Sequence, residues 1–271
     1  KLPNETEDVL GLPELAMLVA TDLAVLDHKD GTVTLIANAI NYDNSDERVD
    51  EAWLDAKRRL DAMELALGNQ APSSASSFDR TAKAEFTRET TGIEYQESVR
   101  VAQDRIRAGD AFQIVLSQRF ATKCQASALD VYRVLRATNP SPYMFLFRIP
   151  ELTGPGQELG TKVAFDVVGS SPEALVTLRN GEAMLHPIAG TRPRGETPQI
   201  DDSNAADLLA DKKERAEHLM LVDLGRNDLG RVCLPGSVEV TDFMSIEKYS
   251  HVMHIVSTVI GKIDPEVSAF D

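Results

Sequence analysis

Four stretches of this 271-residue chain carry side chains that do acid–base or metal chemistry. In Asp211–Arg231, DKKERAEHLMLVDLGRNDLGR, Glu214 and Glu217 stand three residues apart. On a helix that spacing sets them on one face, shared with Leu221 and Leu224. Leu219–Leu224 is apolar apart from Asp223. That predicts deep burial, and carboxylates entering a buried segment need partners. Mg²⁺ is one such partner, since it takes one or two carboxylates plus waters and substrate oxygens. Lys212, Lys213 and Arg215 on a solvated turn are another. Gly169-Ser170-Ser171-Pro172-Glu173 predicts a turn between strands, with Glu173 opening the second strand. A carboxylate there serves as a general acid if burial raises its pKa; otherwise it is an ordinary turn glutamate. Pro187–Gly195, PIAGTRPRG, reads as a strand entering a loop. Its Gly190 and Thr191, with Arg192 and Arg194, would suit a substrate carboxylate, or would form a solvated basic loop. His251 and His254 in YSHVMHIVS are three apart, hence on opposite faces of a regular strand, which argues against a joint metal site. His254, between Met253 and Ile255, reads as a buried base or donor, or as a core histidine.

These groups need a scaffold, and the chain is long enough for one large domain or two smaller ones, with 42% hydrophobic residues. Its formal net charge of −15 lacks the basic footprint of nucleic-acid binding and argues against an anionic membrane. The two cysteines, Cys124 and Cys233, belong to no disulfide or zinc pattern and read as idle thiols of a reducing compartment, so the expected location is cytoplasmic. No apolar run approaches the ~18 residues of a membrane span, and no signal peptide is visible. The chain opens on Lys1 and stops at Asp271 without a closing pattern, and is expected to be a trimmed piece of something longer.

Residues 16–27 and 32–40, separated by His28–Gly31, predict a β-hairpin. A helix follows over 48–67, with Trp53, Leu54, Leu60 and Met63 inward. Residues 1–75 are expected to close an N-terminal region, 76–91 to be a linker containing low-complexity sequence, and 92–271 to hold the main domain. That domain opens with a helix carrying Tyr95, Val99, Ala102 and Ile106 on one face and stopping at Gly109. Phe112–Phe120 switches to period two and predicts a strand. A short helix is expected over 127–137, then strands over 143–149, 162–168, 173–179 and 182–188. Asn180-Gly181 joins the last two. A helix over 205–225 and strands over 237–243 and 251–262 complete an α+β fold with mainly antiparallel sheets and helices on the outside.

The order of the motifs is more specific than any one of them. FQIVLSQRF (112–120), NPSPYMF (139–145), GSSPE (169–173), PIAGTR (187–192), ERAEH (214–218) with RNDLG (226–230), and YSHVMHIVS (249–257) together resemble the chorismate-utilising enzymes. Within that family they are most similar to the anthranilate synthase large subunits. The resemblance covers 92–271, and the hairpin near the start is similar to the end of that branch's N-terminal domain. It implies a partial chorismate-binding-enzyme fold, with Glu217 as a direct Mg²⁺ ligand and Glu214 as a water-mediated one. It further implies Glu173 as the general acid at the chorismate C4 hydroxyl and His254 as the group assisting pyruvate elimination. Gly190 and Thr191 would hold substrate. Pro142, Tyr143 and Met144 would line a pocket for L-tryptophan as feedback inhibitor, and a glutamine amidotransferase subunit would supply ammonia.

Two positions discriminate within the family. Relatives that add water carry lysine where Gln113 stands; an amide cannot deprotonate water, so Gln113 implies ammonia as nucleophile. Many aminodeoxychorismate synthases use a nucleophilic lysine where Ala189 stands, which disfavours that alternative without removing it. A non-catalytic tryptophan-binding or interaction module is the alternative of another class. The family's second glutamate cluster, its GTLSGAPK stretch and its leucine–serine tryptophan motif find no match here. The 271-residue chain is therefore expected to be inactive alone, and its open sheet edges to favour a homo-oligomer or aggregation.

Overall fold

The computed structural model describes residues 7–43, 45–70, 85–153 and 158–268. The chain divides into two compact units, Lys1–Ala82 and Lys83–Asp271. In the first, β1 (Asp22–Asp27) and β2 (Thr32–Ala37) form the expected antiparallel hairpin, with Asp27 opposite Thr32. Helix α1 (Val49–Gly68) packs against β2. Trp53 and Leu54 were expected inward, but they are 58% and 59% exposed, and Ala56 is the buried residue of the helix. A two-stranded ribbon is too narrow to cover the apolar stripe of a 20-residue helix.

In the second unit, α2 (Gly92–Ala108) starts at a capping box. Thr91 Oγ1 accepts from Glu94 N, the Glu94 carboxylate accepts from Thr91 N, and Gly109 ends the helix in the left-handed region. Part of the expected linker, 76–84, lies outside the described residues. Within its remainder, β3 (Thr87–Arg88) pairs with β4 (Phe120–Ala121). The expected strand over 112–120 is corrected: only its last residue joins a ladder. Residues 113–119 have no continuous ladder among the described residues; beside the Glu89 N–H to Arg119 O bond at the end of the stretch, alternation alone supplies no neighbouring strand, so they form none. Helix α3 (Ala128–Thr138), capped by Ser127, packs on the ribbon of β5 (Tyr143–Thr153) and β6 (Glu158–Ser171).

The central sheet holds β7 (Thr177–Arg179), β8 (Glu182–Leu185), β9 (Ile188–Pro193), β10 (Glu239–Lys248) and β11 (Val252–Lys262). β11 is its spine. β10 lies along one edge; β8 and then β9 lie along the other, all antiparallel. β7 and β8 meet through the Asn180-Gly181 turn. Helices α4 (Pro198–Ala210) and α5 (Lys212–Val232) cover one face. The expected single helix over 205–225 is thus two. Asp211 is non-helical and caps α5, its carboxylate accepting from Lys213 N and Glu214 N. The core is Ala183, Val222, Leu229, Cys233 and Val259 at one end of the face, and Leu208, Met253 and Ile255 at the other. Deep burial all round α5 is also corrected. Val222 and His218 are buried but Leu219 and Leu224 are exposed, because the helix lays one side on the sheet.

Candidate active site

Alternation along β11 sends Met253, Ile255, Ser257 and Val259 toward α4 and α5, while His254 and Thr258 face the other way. His218 of α5 is fully buried, its Nε2 2.7 Å from Ser257 Oγ, which also accepts from Met244 N at 2.9 Å. Burial lowers the pKa of His218 and keeps the ring neutral.

Three consecutive residues of β9 join the two faces. Gly190 has φ +70°; a Cβ there would lie 3.0 Å from Leu208 Cδ1 and 3.3 Å from Glu214 Oε2. Glycine is what lets the backbone approach the glutamate. On the opposite side, His254 Nδ1 lies 2.8 Å from Gly190 O and 3.2 Å from Thr191 Oγ1. A carbonyl only accepts, so Nδ1 carries a proton, and the neutral tautomer compatible with this contact has its lone pair at Nε2. Arg192 then donates to Asp207 at 2.7 Å and to Asp211, the α5 cap, at 2.9 Å. Arg194 holds the buried Asp201 with two bonds, at 2.8 and 3.0 Å. The expectation that both arginines receive a substrate carboxylate is therefore corrected. Their guanidiniums are taken by Asp207, Asp211 and Asp201, which fix the entry to α4 and α5. The Arg194 guanidinium, with help from Gly195 N and Lys248, holds the Asp201 carboxyl far below the usual carboxylate range.

Glu214 and Glu217 lie a turn apart on α5, both partly buried. Glu214 Oε1 is 3.4 Å from Lys213 Nζ, so the lysine alternative holds in part. Glu217 Oε1 instead accepts from Gln113 Nε2 at 3.2 Å, across 104 residues of sequence. Among the described residues no group of three metal-ligating side chains gathers. Two hard carboxylates in adjacent turns, with Glu217 bound among the described residues by a neutral amide, nonetheless suit Mg²⁺, which completes its shell with water and substrate.

Glu173 does not open a strand, because β7 begins at Thr177. It sits in the preceding irregular stretch, its N–H donating to Ser171 Oγ at 3.3 Å. The expected turn over 169–173 is shorter, because Gly169–Ser171 still belong to β6; there Gly169 pairs with Phe145 and lies directly under its ring, where no Cβ fits. Glu173 lines a cavity of about 210 Å³ with Tyr143, His186 and Thr258. Burial raises its pKa, against the opposing pull of Ile188 N–H, His186 and His254. Tyr143 thus stands beside the acid; Met144 is half-buried and Pro142 exposed. His251 lies outside this grouping, its Nε2 3.4 Å from Thr138 O.

Several neighbours of these groups escaped the sequence reading. His186 reaches Thr258 and Glu247, and Tyr249 packs its ring edge on His254 with centroids 5.5 Å apart. Two local signals went unread. Asp211 with Glu214 three residues later marks a helix start, and Thr197-Pro198 marks another.

A mixed antiparallel fold that gathers an acid, a histidine and a carboxylate pair from β6–β7, β11 and α5 defines the class. The chain belongs to the chorismate binding enzyme family, whose model matches residues 2–271. Its relatives narrow the likeness. It is 54% identical over 271 residues to anthranilate synthase component 1 of Mycolicibacterium smegmatis, covering all of this chain and 50% of that protein. It is 50% identical over 274 residues to the component 1 of Arthrobacter globiformis, again covering all of this chain and 50% of that protein. The crystal structure of anthranilate synthase component I from Streptococcus pneumoniae TIGR4 superimposes with a TM-score of 0.74 at 35% identity, covering 92% of this chain and 50% of that one. The menaquinone-specific isochorismate synthase of Escherichia coli shares the fold, with a TM-score of 0.59 at 14% identity, covering 86% of this chain and 49% of that one. The chain spans about half the length of the curated relatives it matches. No helix among the described residues is long and apolar enough to cross a membrane.

Proposed function

We propose that this chain carries the acid, the histidine and one carboxylate pair of an anthranilate synthase component I. That enzyme converts chorismate and ammonia to anthranilate, pyruvate and water. The observation that carries the reading is the Gln113–Glu217 contact at 3.2 Å. It sets an amide beside the carboxylates, where relatives that hydrate the ring would need a base, so the nucleophile must arrive competent. A partner glutamine amidotransferase would supply the ammonia. The high identity to component 1 proteins supports the same reading.

Protonated Glu173 donates to the C4 hydroxyl as it leaves as water, and partial burial raises its pKa and so favours the protonated form. Ammonia adds to the ring. His254 then takes the ring proton at Nε2 as the enolpyruvyl group leaves, Gly190 O fixing the tautomer that frees this nitrogen. Glu217 directly, and Glu214 through water, would hold Mg²⁺, which when bound offers positive charge to the substrate carboxylate. Gly190 and Thr191 set the substrate against His254. Pro142, Tyr143 and Met144 are proposed to bind L-tryptophan as a feedback inhibitor.

The test is a fluorescence assay of the full-length protein with chorismate, ammonia and Mg²⁺. Anthranilate with equimolar pyruvate is expected. An amino-chorismate product without pyruvate would overturn the reading in favour of aminodeoxychorismate synthase. Glu173→Gln should lower kcat by roughly 10²–10⁴-fold.

A further inference from the structure

Glu247, on β10, lies opposite His254 in the β10–β11 register. Both of its carboxylate oxygens are engaged. Oε1 is 3.2 Å from His186 Nε2, and Oε2 accepts from Tyr249 Oη at 2.7 Å. Each partner leads to a different functional group. His186, with Nδ1 3.1 Å from Thr258 Oγ1, lines the cavity that contains Glu173. Tyr249 sets its ring against His254 and is itself held at both ends, its carbonyl accepting from Arg194 at 2.6 Å and its N–H donating to Val252 O at 2.8 Å.

We propose that Glu247 is a positioning residue whose two oxygens lock His186 and Tyr249 together, so that the Glu173 cavity and the His254 ring are held as one unit. The role in catalysis rests on the function proposed above; the linkage itself does not. A carboxylate accepts at both oxygens, so it imposes Nε2–H on His186 and takes the Tyr249 hydroxyl proton as a hydrogen bond. Burial first, and then the Glu247 carboxylate and the charge of Glu173, push the Tyr249 hydroxyl up to about 12, so it stays a donor at neutral pH. The His186 and Glu247 side chains are 32% and 42% exposed, so the unit is open to solvent along that edge.

Ring-nitrogen NMR of the ¹⁵N-histidine-labelled chain tests the linkage. Glu247→Leu removes both acceptors. The His186 and His254 ring signals should both shift, while that of His218, on the other side of β11, stays in place and reports a folded sheet. Glu247→Gln can still accept from Tyr249 while its amide donates to His186. It should leave His254 in place and turn His186 to the Nδ1–H tautomer. An unmoved His254 in Glu247→Leu, or retained Nε2–H on His186 in Glu247→Gln, overturns the inference. Should Glu247→Leu not fold, Tyr249→Phe decides, since it cuts one arm only: a shifted His254 with an unmoved His186 supports the linkage, and an unmoved His254 overturns it. In the full-length protein Tyr249→Phe should lower kcat about tenfold with little change in KM. An unchanged kcat alongside the expected NMR shifts would leave the linkage standing and count against the acid–histidine reading of the site.

Discussion

Strand β11 and the stretch 112–119 have similar alternating sequences and opposite fates. β11 has β10 on one edge and β8 and β9 on the other, and Met253, Ile255, Ser257 and Val259 are fully buried beneath α4 and α5. Residues 113–119 have no ladder among the described residues, and Phe112 and Val115 are 91% and 85% exposed. Period two makes a two-faced segment. Backbone hydrogen bonds and burial of one face then require a neighbour. The hydrogen bond that ties the stretch to the proposed metal pair, Gln113 to Glu217, comes from a side chain.

The contrast is sharpest in the core. Ile255→Ala should cost about 2–5 kcal/mol by urea denaturation, the range for emptying a packed site. A loss under 1 kcal/mol would mean β11 is no more committed than 112–119. Gly190→Ala comes next. The left-handed backbone and the contact with Leu208 should together cost about 1–3 kcal/mol, and His254 should lose its Gly190 partner, visible as a shifted ring signal. Arg192→Ala frees Asp211 and loosens the first turn of α5. Mg²⁺ affinity of the full-length protein, measured by calorimetry, should fall about tenfold, as when an outer-shell partner of a ligand is removed.

A pH titration probes the neighbouring pair of Arg194 with the buried Asp201. Asp201 is depressed in the folded state, so below its ordinary value of 3.8 the unfolded chain binds the extra proton. Its stabilisation is complete above that value and is lost as pH falls through the lower folded one. Asp201→Asn should flatten the acid limb of a thermal-stability profile. Val115→Ala stands at the small end, within about 0.5 kcal/mol of the parent, as for an exposed position.

Elements whose signals are local were readable in the sequence. The hairpin of β1 and β2, α2 with its Gly109 stop, α3, and the Asn180-Gly181 turn all stand where turn and cap chemistry put them. The break at Asp211 had such a signal as well, masked by the helix-favouring residues on either side, Leu208–Ala210 and Lys212–Glu217. Positions that depend on distant partners were not readable. Trp53 and Leu54 face outward because the hairpin beneath α1 is narrow. The arginines of the PIAGTRPRG stretch are consumed by aspartates 7–19 residues further along the chain.

Motif order in the sequence determined the family and named Glu173, Gly190, Thr191, Glu214, Glu217 and His254, because residue type limits which chemistry a position can do. Only the tertiary structure decided which of these meet. Gly190 touches Glu214 on one side of the sheet and His254 on the other, Gln113 meets Glu217, and Glu247 joins His186 to Tyr249. Such meetings follow from strand register and the path of β9 across β11, which are set by the packing of the whole sheet and not by the local sequence.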